Sequence, residues 1–311
     1  MVEAKAAAAE GAARTAKSLG PRFVNPAKTK KSQVWRALHA IGLRREHMAR
    51  RPLRSFVRLF SQQDIVPLDL LMGAPLDAVF RMRFPKAMFD YHVAPGDALG
   101  ARLFWQDWQH WEPDTIPVFA RFAKNSARVL DVGAHTGVYT LYACALNPEA
   151  EVFTFEPLPQ PYSRLVENCE LNTFESRCKT FQAAASDITG HARFHIAEDP
   201  TMSRIVDSGG ELEIPVVRLD EVVPLDGKTR LVKMDVEGHE YRALLGMQGI
   251  MNDSHPAILF ECNPGGRGSE IAALLREHGY RLLHIAQGKM TPISELIPEH
   301  YSHGCHNFLA L

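Results

Sequence analysis

Cysteine is scarce and unpatterned. The five residues, Cys144, Cys169, Cys178, Cys262 and Cys305, are odd in number and scattered, and no Cys-x-x-Cys occurs. This argues against a disulfide framework and for a reducing, cytoplasmic setting. No apolar run is long enough to span a bilayer. Ala6–Ala9 is too short and too weakly apolar for the core of a signal peptide, so none is expected. The Gly-x-Gly-x-x-Gly fingerprint of dinucleotide binding is also missing, which disfavours a nicotinamide oxidoreductase.

Net charge is almost absent, at −1 over 311 residues, but it is unevenly spread. Residues 1–60 hold 14 Lys/Arg against 3 Asp/Glu, leaving 21 against 33 in the remainder. The N-terminal arm is basic and the body acidic. Apolar content of 46% and charged content of 23% are ordinary for a globular chain.

The stretch that organises the chain is Arg128 to Tyr139. Val129–Val132 is a short apolar run and reads as a buried strand. It stops at Gly133, and Val138–Leu146 carries no breaker and reads as a helix. A strand turning through glycines into a helix puts backbone N–H groups and a positive dipole end at its top edge. Here the loop is Asp-x-Gly-x-x-x-Gly, with Asp131 at its start. A carboxylate there repels phosphate and suits a cationic ligand, and S-adenosylmethionine, a sulfonium without phosphate, is such a ligand. Glu151–Glu156 reads as a second strand ending in a carboxylate that can accept both ribose hydroxyls. Leu231–Glu240 reads as a strand running into an acidic turn and a helix.

Taken together, Asp-Val-Gly-Ala-x-x-Gly, Phe-Glu-Pro at 155–157, Lys-Met-Asp-Val-Glu-Gly-x-Glu at 233–240 and Leu-Phe-Glu-Cys at 259–262 resemble the FkbM-type methyltransferase family. The resemblance spans roughly residues 100–311. It implies an α/β, doubly wound, seven-stranded Rossmann-like methyltransferase sheet whose last strand is antiparallel, with S-adenosylmethionine as cofactor. It implies sugar or natural-product hydroxyls as acceptors. The family usually carries Asn where this chain has His135. The cofactor contacts expected are Asp131, Gly133, Ala134, His135, Thr136, Gly137, Glu156, Pro157, Ala184, Ala185 and Asp235. Small Ala184 and Ala185 would let the adenine lie flat, with Ser186 or Asp187 near its amino group.

Three regions are expected: a basic, partly disordered arm over 1–60, a helical cap and linker over 61–126, and the methyltransferase domain over 127–311. Within the arm, Leu53, Phe56, Val57 and Phe60 alternate with Arg50, Arg51, Arg54 and Arg58. This basic amphipathic pattern over 33–60 fits an anionic membrane surface or an acidic partner, or the chain's own acidic body. No nucleic-acid module accompanies it, so no nucleic-acid partner is expected. In the cap, Trp105, Trp108 and Trp111 recur at spacing three near Tyr91. They form either a sugar-stacking face or the cap's buried stripe. The strands His191–Ile196 and Glu213–Arg218 flank a polar loop read as an acceptor-side lid, with Met202 and Ser203 its contacts, or as a plain surface hairpin.

For catalysis the candidates are Asp235, Glu237 and His239 at the tip of the fourth strand, with Lys233 below. Asp235 is expected to orient the methionine part or the acceptor hydroxyl, and Glu237 or His239 to act as general base. Alternatively, Glu237 and Glu240 cap the following helix. Glu261 and Asn263 face the same crevice. No metal site is expected, although His300, His303, Cys305 and His306 carry ligating atoms. The leading reading is an S-adenosylmethionine-dependent O-methyltransferase acting on a small-molecule or glycan acceptor. The alternatives are N-methyl transfer and a non-catalytic scaffold of the same fold.

Overall fold

The computed structural model describes residues 76–106, 108–195, 204–206, 210–301 and 306–311. By its internal contacts the chain divides into residues 1–74 and 75–311. The basic arm and its amphipathic stretch lie outside the described residues.

Where a helical cap was expected, the described chain opens as a β-hairpin. Strands β1 (Ala78–Phe84) and β2 (Ala87–Val93) pair antiparallel from Ala78↔Val93 to Phe84↔Ala87. The period is two: Phe80, Met82 and Phe84 face inward with Ala87, Phe89, Tyr91 and Val93. Pro85 and a left-handed Lys86 (φ 64°) make the turn. Helices α1 (Ala98–Trp105) and α2 (Thr115–Ala123) follow. Asp97 caps α1 through Gly100 N–H at 2.7 Å.

The main sheet starts with β3 (Arg128–Val132). After it come α3 (Val138–Leu146), β4 (Glu151–Phe155), α4 (Pro159–Leu171) and β5 (Cys178–Phe181). A second sheet then intervenes, made of β6 (Ala184–Ala185), β7 (Gly190–His195), β8 (Arg204–Val206) and β9 (Leu212–Val217). The chain re-enters the main sheet through short α5 (Leu219–Val222), β10 (Thr229–Met234), α6 (Glu240–Leu245) and α7 (Gln248–Ser254). It finishes with β11 (Ala257–Glu261), α8 (Gly268–Glu277), β12 (Leu282–Ala286), β13 (Lys289–Pro292) and β14 (Asn307–Ala310).

The main-sheet order is β13-β12-β14-β11-β10-β3-β4-β5. Strands β11, β10, β3, β4 and β5 are mutually parallel, and β14 runs antiparallel between β11 and β12, as the resemblance implied. The seven expected strands are present, and β13 adds an eighth as a hairpin on β12. The chain order reverses between β3 and β10, and ligands of such sheets bind outside the strand ends at that point.

Three local details set the ends of these elements. The helical stretch after β10 is divided at Gly246 into α6 and α7, and a Cβ at Gly246 would sit 1.9 Å from Ser186 O. Asp220 then accepts from Gly249 and Ile250 N–H at 2.9 Å each and starts α7. Helix α8 begins at Gly268, with Arg267 in the N-cap position and no side-chain cap bond. The third strand ends at Phe181, and Ala184–Ala185 pair with β9 instead. The 191–218 segment does form an antiparallel pair, β7 with β9, joined by β8; Met202 and Ser203 lie outside the described residues.

The hairpin is fastened to the sheet's helices by two asparagines one turn apart on α4. Asn172 accepts from Asp90 N–H (2.8 Å) and donates to Asp90 O (2.6 Å). Asn168 accepts from His92 N–H (2.8 Å) and donates to Thr136 O (3.1 Å). Asn168 is fully buried, so removing it strands both backbone groups. Asn168→Ala is expected to cost about 2–4 kcal/mol, read as a lower urea midpoint at unchanged m value.

The four described cysteines outside 302–305 are free thiols. No helix among the described residues is long and apolar enough to cross a membrane.

Candidate active site

The Gly133–Gly137 loop joins β3 to α3 across the switch point. Gly133 has φ +83°, and a Cβ there would lie 1.8 Å from Asp235 O. The loop therefore lies directly on the chain leaving β10, where Asp235 N–H donates to Val132 O at 2.9 Å. His135 is left-handed as well, at φ 51°.

The loop's N–H groups do not form the open row expected from the sequence. Gly133 and Ala134 both donate to Phe155 O at 3.0 Å, and Gly137 donates to Ala134 O at 2.8 Å. His135 N–H donates to Glu156 Oε2 at 2.9 Å. With these donors engaged inside the protein, the loop is no phosphate cradle.

Thr136 is tied down rather than offered to a ligand. Its hydroxyl meets Tyr91 OH at 2.5 Å and His135 Nδ1 at 3.2 Å, and Tyr91 OH donates to Asp97 Oδ2 at 2.8 Å. Tyr91 thus links the hairpin, the α1 cap and the loop in one buried chain.

Asp131 is not at the loop's mouth but inside the sheet, 2% exposed. Parallel register sets it beside Thr154 on one side and Lys233 on the other. Thr140 of α3 donates to it at 2.6 Å, and burial raises its carboxyl to about 6. A strand residue two places before the loop faces a covering helix here, which explains why it turns away from the crevice.

Glu156 ends β4 at the edge of the crevice, with Pro157 half-buried after it. Its Oε2 accepts from His135 N–H and its Oε1 from Leu158 N–H, both at 2.9 Å. Burial raises it to about 7, against the two amide bonds that favour its charge. Each oxygen keeps a further lone pair.

Ala184 and Ala185 are buried in protein, Ala185 in the main core and Ala184 in a cluster with Phe194, Ile214 and Val216. Ser186 and Asp187 follow at the crevice. Ser186 Oγ donates to Asp187 Oδ1 (3.0 Å) and meets His239 Nε2 at 3.1 Å. Arg242 pairs with Asp187 at 3.4 Å. His239 is thereby drawn to the end of the second sheet.

Glu240 supports the turn before α6, accepting from Gly238 (3.1 Å) and Val236 (3.3 Å) N–H. Glu237 sits in that turn with φ 52°.

A charged group forms under the tips of β10 and β11. The Lys233 ammonium lies 3.5 Å from Asp235 Oδ2 and 5.3 Å from the centre of the Tyr139 ring. Tyr139 OH donates to Glu112, which reaches in from the segment before α2. Burial opposes the charge on Lys233, but Asp235, Glu112, Glu261 and Asp131 outweigh it and hold the ammonium above its usual range. Glu261 is pushed up to about 9, by burial and then by Asp235. Glu112 is raised by burial.

Of the catalytic candidates, Asp235 lies within this group and Glu237 adds to its negative field, whereas His239 bonds to Ser186. Glu112, Tyr139 and Asp97 were not singled out as site residues from the sequence, and Tyr91 was named only beside the tryptophan stripe. The tryptophan stripe divides: Trp105 is buried against Phe104, Trp108 stacks on Phe84, and half-buried Trp111 tilts onto Tyr139. His303 and Cys305 lie outside the described residues.

Residues 131–282 match the sequence model of the methyltransferase FkbM domain. The 31-O-demethyl-FK506 methyltransferase FkbM of Streptomyces tacrolimicus is 30% identical over 191 residues, covering 50% of this chain and 73% of that protein. The chain belongs to the FkbM methyltransferase family. Within the family it is also similar to the hexuronic acid methyltransferase AglP of Haloferax volcanii, at 29% identity over 171 residues, 53% of this chain and 68% of that protein. A solved FkbM methyltransferase from Methylobacillus flagellatus aligns with a TM-score of 0.40 and 14% identity, over 69% of this chain and 53% of its own.

The buried acids of this FkbM-family site give the ligand-free protein an inverted pH response. Glu156 and Glu240 titrate at about 7 when folded, against an ordinary value of 4.5. Between those values the folded chain keeps protons that the unfolded chain has lost, so stability falls as pH rises through that window. Glu261 extends the decline toward pH 9. Melting temperatures at pH 5.5, 7 and 9 should fall in that order; a rise from 5.5 to 7 contradicts the assignment.

Proposed function

We propose that this protein transfers a methyl group from S-adenosylmethionine to a hydroxyl oxygen of a sugar, glycoconjugate or natural-product acceptor. The observation that carries this reading is the pairing of two carboxylate sites across the Gly133 loop. Glu156 stands at the tip of β4 with lone pairs to spare, and Asp235 stands 30% exposed at the tip of β10 beside a buried lysine.

The residues fit the cofactor. Glu156 would take the ribose hydroxyls, and Ser186 and Asp187 the adenine edge. The loop, with its amides engaged inside the protein, offers no cradle for a phosphate, in keeping with a ligand that has none. When bound, S-adenosylmethionine supplies a methyl group on a positively charged sulfur. The chain's own part is to hold the acceptor oxygen in line and to take its proton, and much of the rate of such a displacement comes from positioning. The relatives' names support an oxygen acceptor on a natural product or a uronic sugar. Trp111, half-buried over Tyr139 beside Glu112, offers an aromatic face to a sugar at that edge.

Calorimetric titration with S-adenosylmethionine, beside an NAD control, tests the cofactor. Micromolar binding with no heat from NAD is expected, and a screen of hexuronic acids and other hydroxylated sugars then seeks the acceptor. No heat from S-adenosylmethionine rules the reading out.

A further inference from the structure

Asp235 has two unlike oxygens. Oδ2 lies 3.5 Å from the Lys233 ammonium. Oδ1 is buried and meets no donor unless a neighbouring acid carries a hydrogen. Glu261 ends the adjacent strand β11, whose register pairs Phe260 with Met234, and its carboxyl, raised to about 9 by burial and then by Asp235, bonds to Asp235; Oδ1 is the Asp235 oxygen that lacks another partner for that hydrogen. Lys233 is 2% exposed and out of an acceptor's reach, whereas Asp235 is 30% exposed. The groups facing the pair are Lys233, Glu237, Asp131 on β3, and Glu112 with its partner Tyr139 on α3. His239, the other basic candidate, is bonded to Ser186.

Resting on the methyl-transfer reading above, we propose that Asp235 receives the acceptor hydroxyl's proton, and that Glu261 and Lys233 are positioning residues, each holding one Asp235 oxygen. A carboxylate offers about four lone-pair sites. With Oδ1 buried and one site of Oδ2 turned to Lys233, the remaining site of Oδ2 is the one left for the acceptor. As the acceptor's O–C bond forms, its O–H bond breaks and the hydrogen leaves as a proton to Asp235. The electron pair of the broken C–S bond stays on sulfur, and no oxidant or reductant is needed.

The shared proton can be read without an acceptor. Infrared spectra of the ligand-free protein, titrated from pH 8 to 10, should show a protonated-carboxyl band that disappears near pH 9. Glu156 and Glu240, at about 7, are largely ionised over that range. The band should be absent in Glu261→Gln. No such band, or one that persists in Glu261→Gln, overturns the proposal.

With an acceptor from the screen, Glu261→Ala should lose at least thirtyfold in kcat. Glu261→Gln, which keeps a donor for Oδ1, should recover tenfold or more of that loss, and both should bind S-adenosylmethionine within threefold of the parent. Equal activity of the two variants also overturns the proposal. If the parent binds S-adenosylmethionine but the band is missing, the proton pair fails alone. If the parent gives no heat with S-adenosylmethionine, the methyl-transfer reading itself fails, whatever the band does.

Discussion

Replacing Glu156 with alanine will weaken S-adenosylmethionine binding by about two to four orders of magnitude. The carboxylate would accept two ribose hydroxyls, and hydrogen bonds to a charged group contribute about 1.5–3 kcal/mol each. Their joint loss, about 3–6 kcal/mol, corresponds to that range, since each tenfold is about 1.4 kcal/mol. Glu156 also fixes the loop, because His135 and Leu158 N–H both donate to it. Alanine leaves those amides unpaired and loosens the backbone between β3 and α3. Glu156→Gln separates the two effects: its amide oxygen can still accept from one N–H, but the negative charge is gone. Calorimetry should rank parent, Gln and Ala in falling affinity. An alanine variant that binds within threefold of the parent would remove Glu156 from the cofactor's surroundings.

The alternation of apolar strands with helices made the strands and helices of the main sheet legible from Arg128 onward, though not the order in which the strands pair. Val129–Val132, Val152–Phe155 and Ala257–Phe260 are mostly apolar because both faces of a parallel strand are covered. The hairpin was less legible. Its alternation, with Phe80, Met82 and Phe84 against Phe89, Tyr91 and Val93, lies in a stretch broken by Pro75 and Pro85, and those prolines read as linker. One of them is the turn itself.

Site residues divide the same way. Strand tips are fixed by the run that precedes them, so Glu156 and Asp235 could be placed from sequence. Asp131 could not, because its direction depends on which helix covers that face, and α3 supplies Thr140 to it. His239 follows the turn at Gly238, and its partner Ser186 is 53 residues away in sequence. Glu112 reaches Tyr139 across 27 residues from a segment without regular spacing, and no local pattern marks such a contact.

Alanine at Gly133 will cost about 3–5 kcal/mol of stability and abolish cofactor binding, and the comparison with Gly238 shows why. Both glycines are left-handed, at φ +83° and +91°. An L residue in that region costs about 1–2 kcal/mol. A Cβ at Gly238 meets nothing within 4 Å, so Gly238→Ala should cost no more than that strain. At Gly133 the Cβ would also lie 1.8 Å from the backbone oxygen of Asp235, and a backbone atom cannot swing aside as the end of a side chain can. Overpacking of this kind adds about 1–3 kcal/mol. Relief requires β3 and β10 to part where Asp235 N–H bonds to Val132 O, which displaces Asp235 from Lys233 and Glu261 together. The melting temperature of Gly133→Ala should therefore drop by on the order of 10 °C. Equal losses in the two variants would mean that the loop does not rest on β10, and that Glu156 and Asp235 do not frame a common crevice.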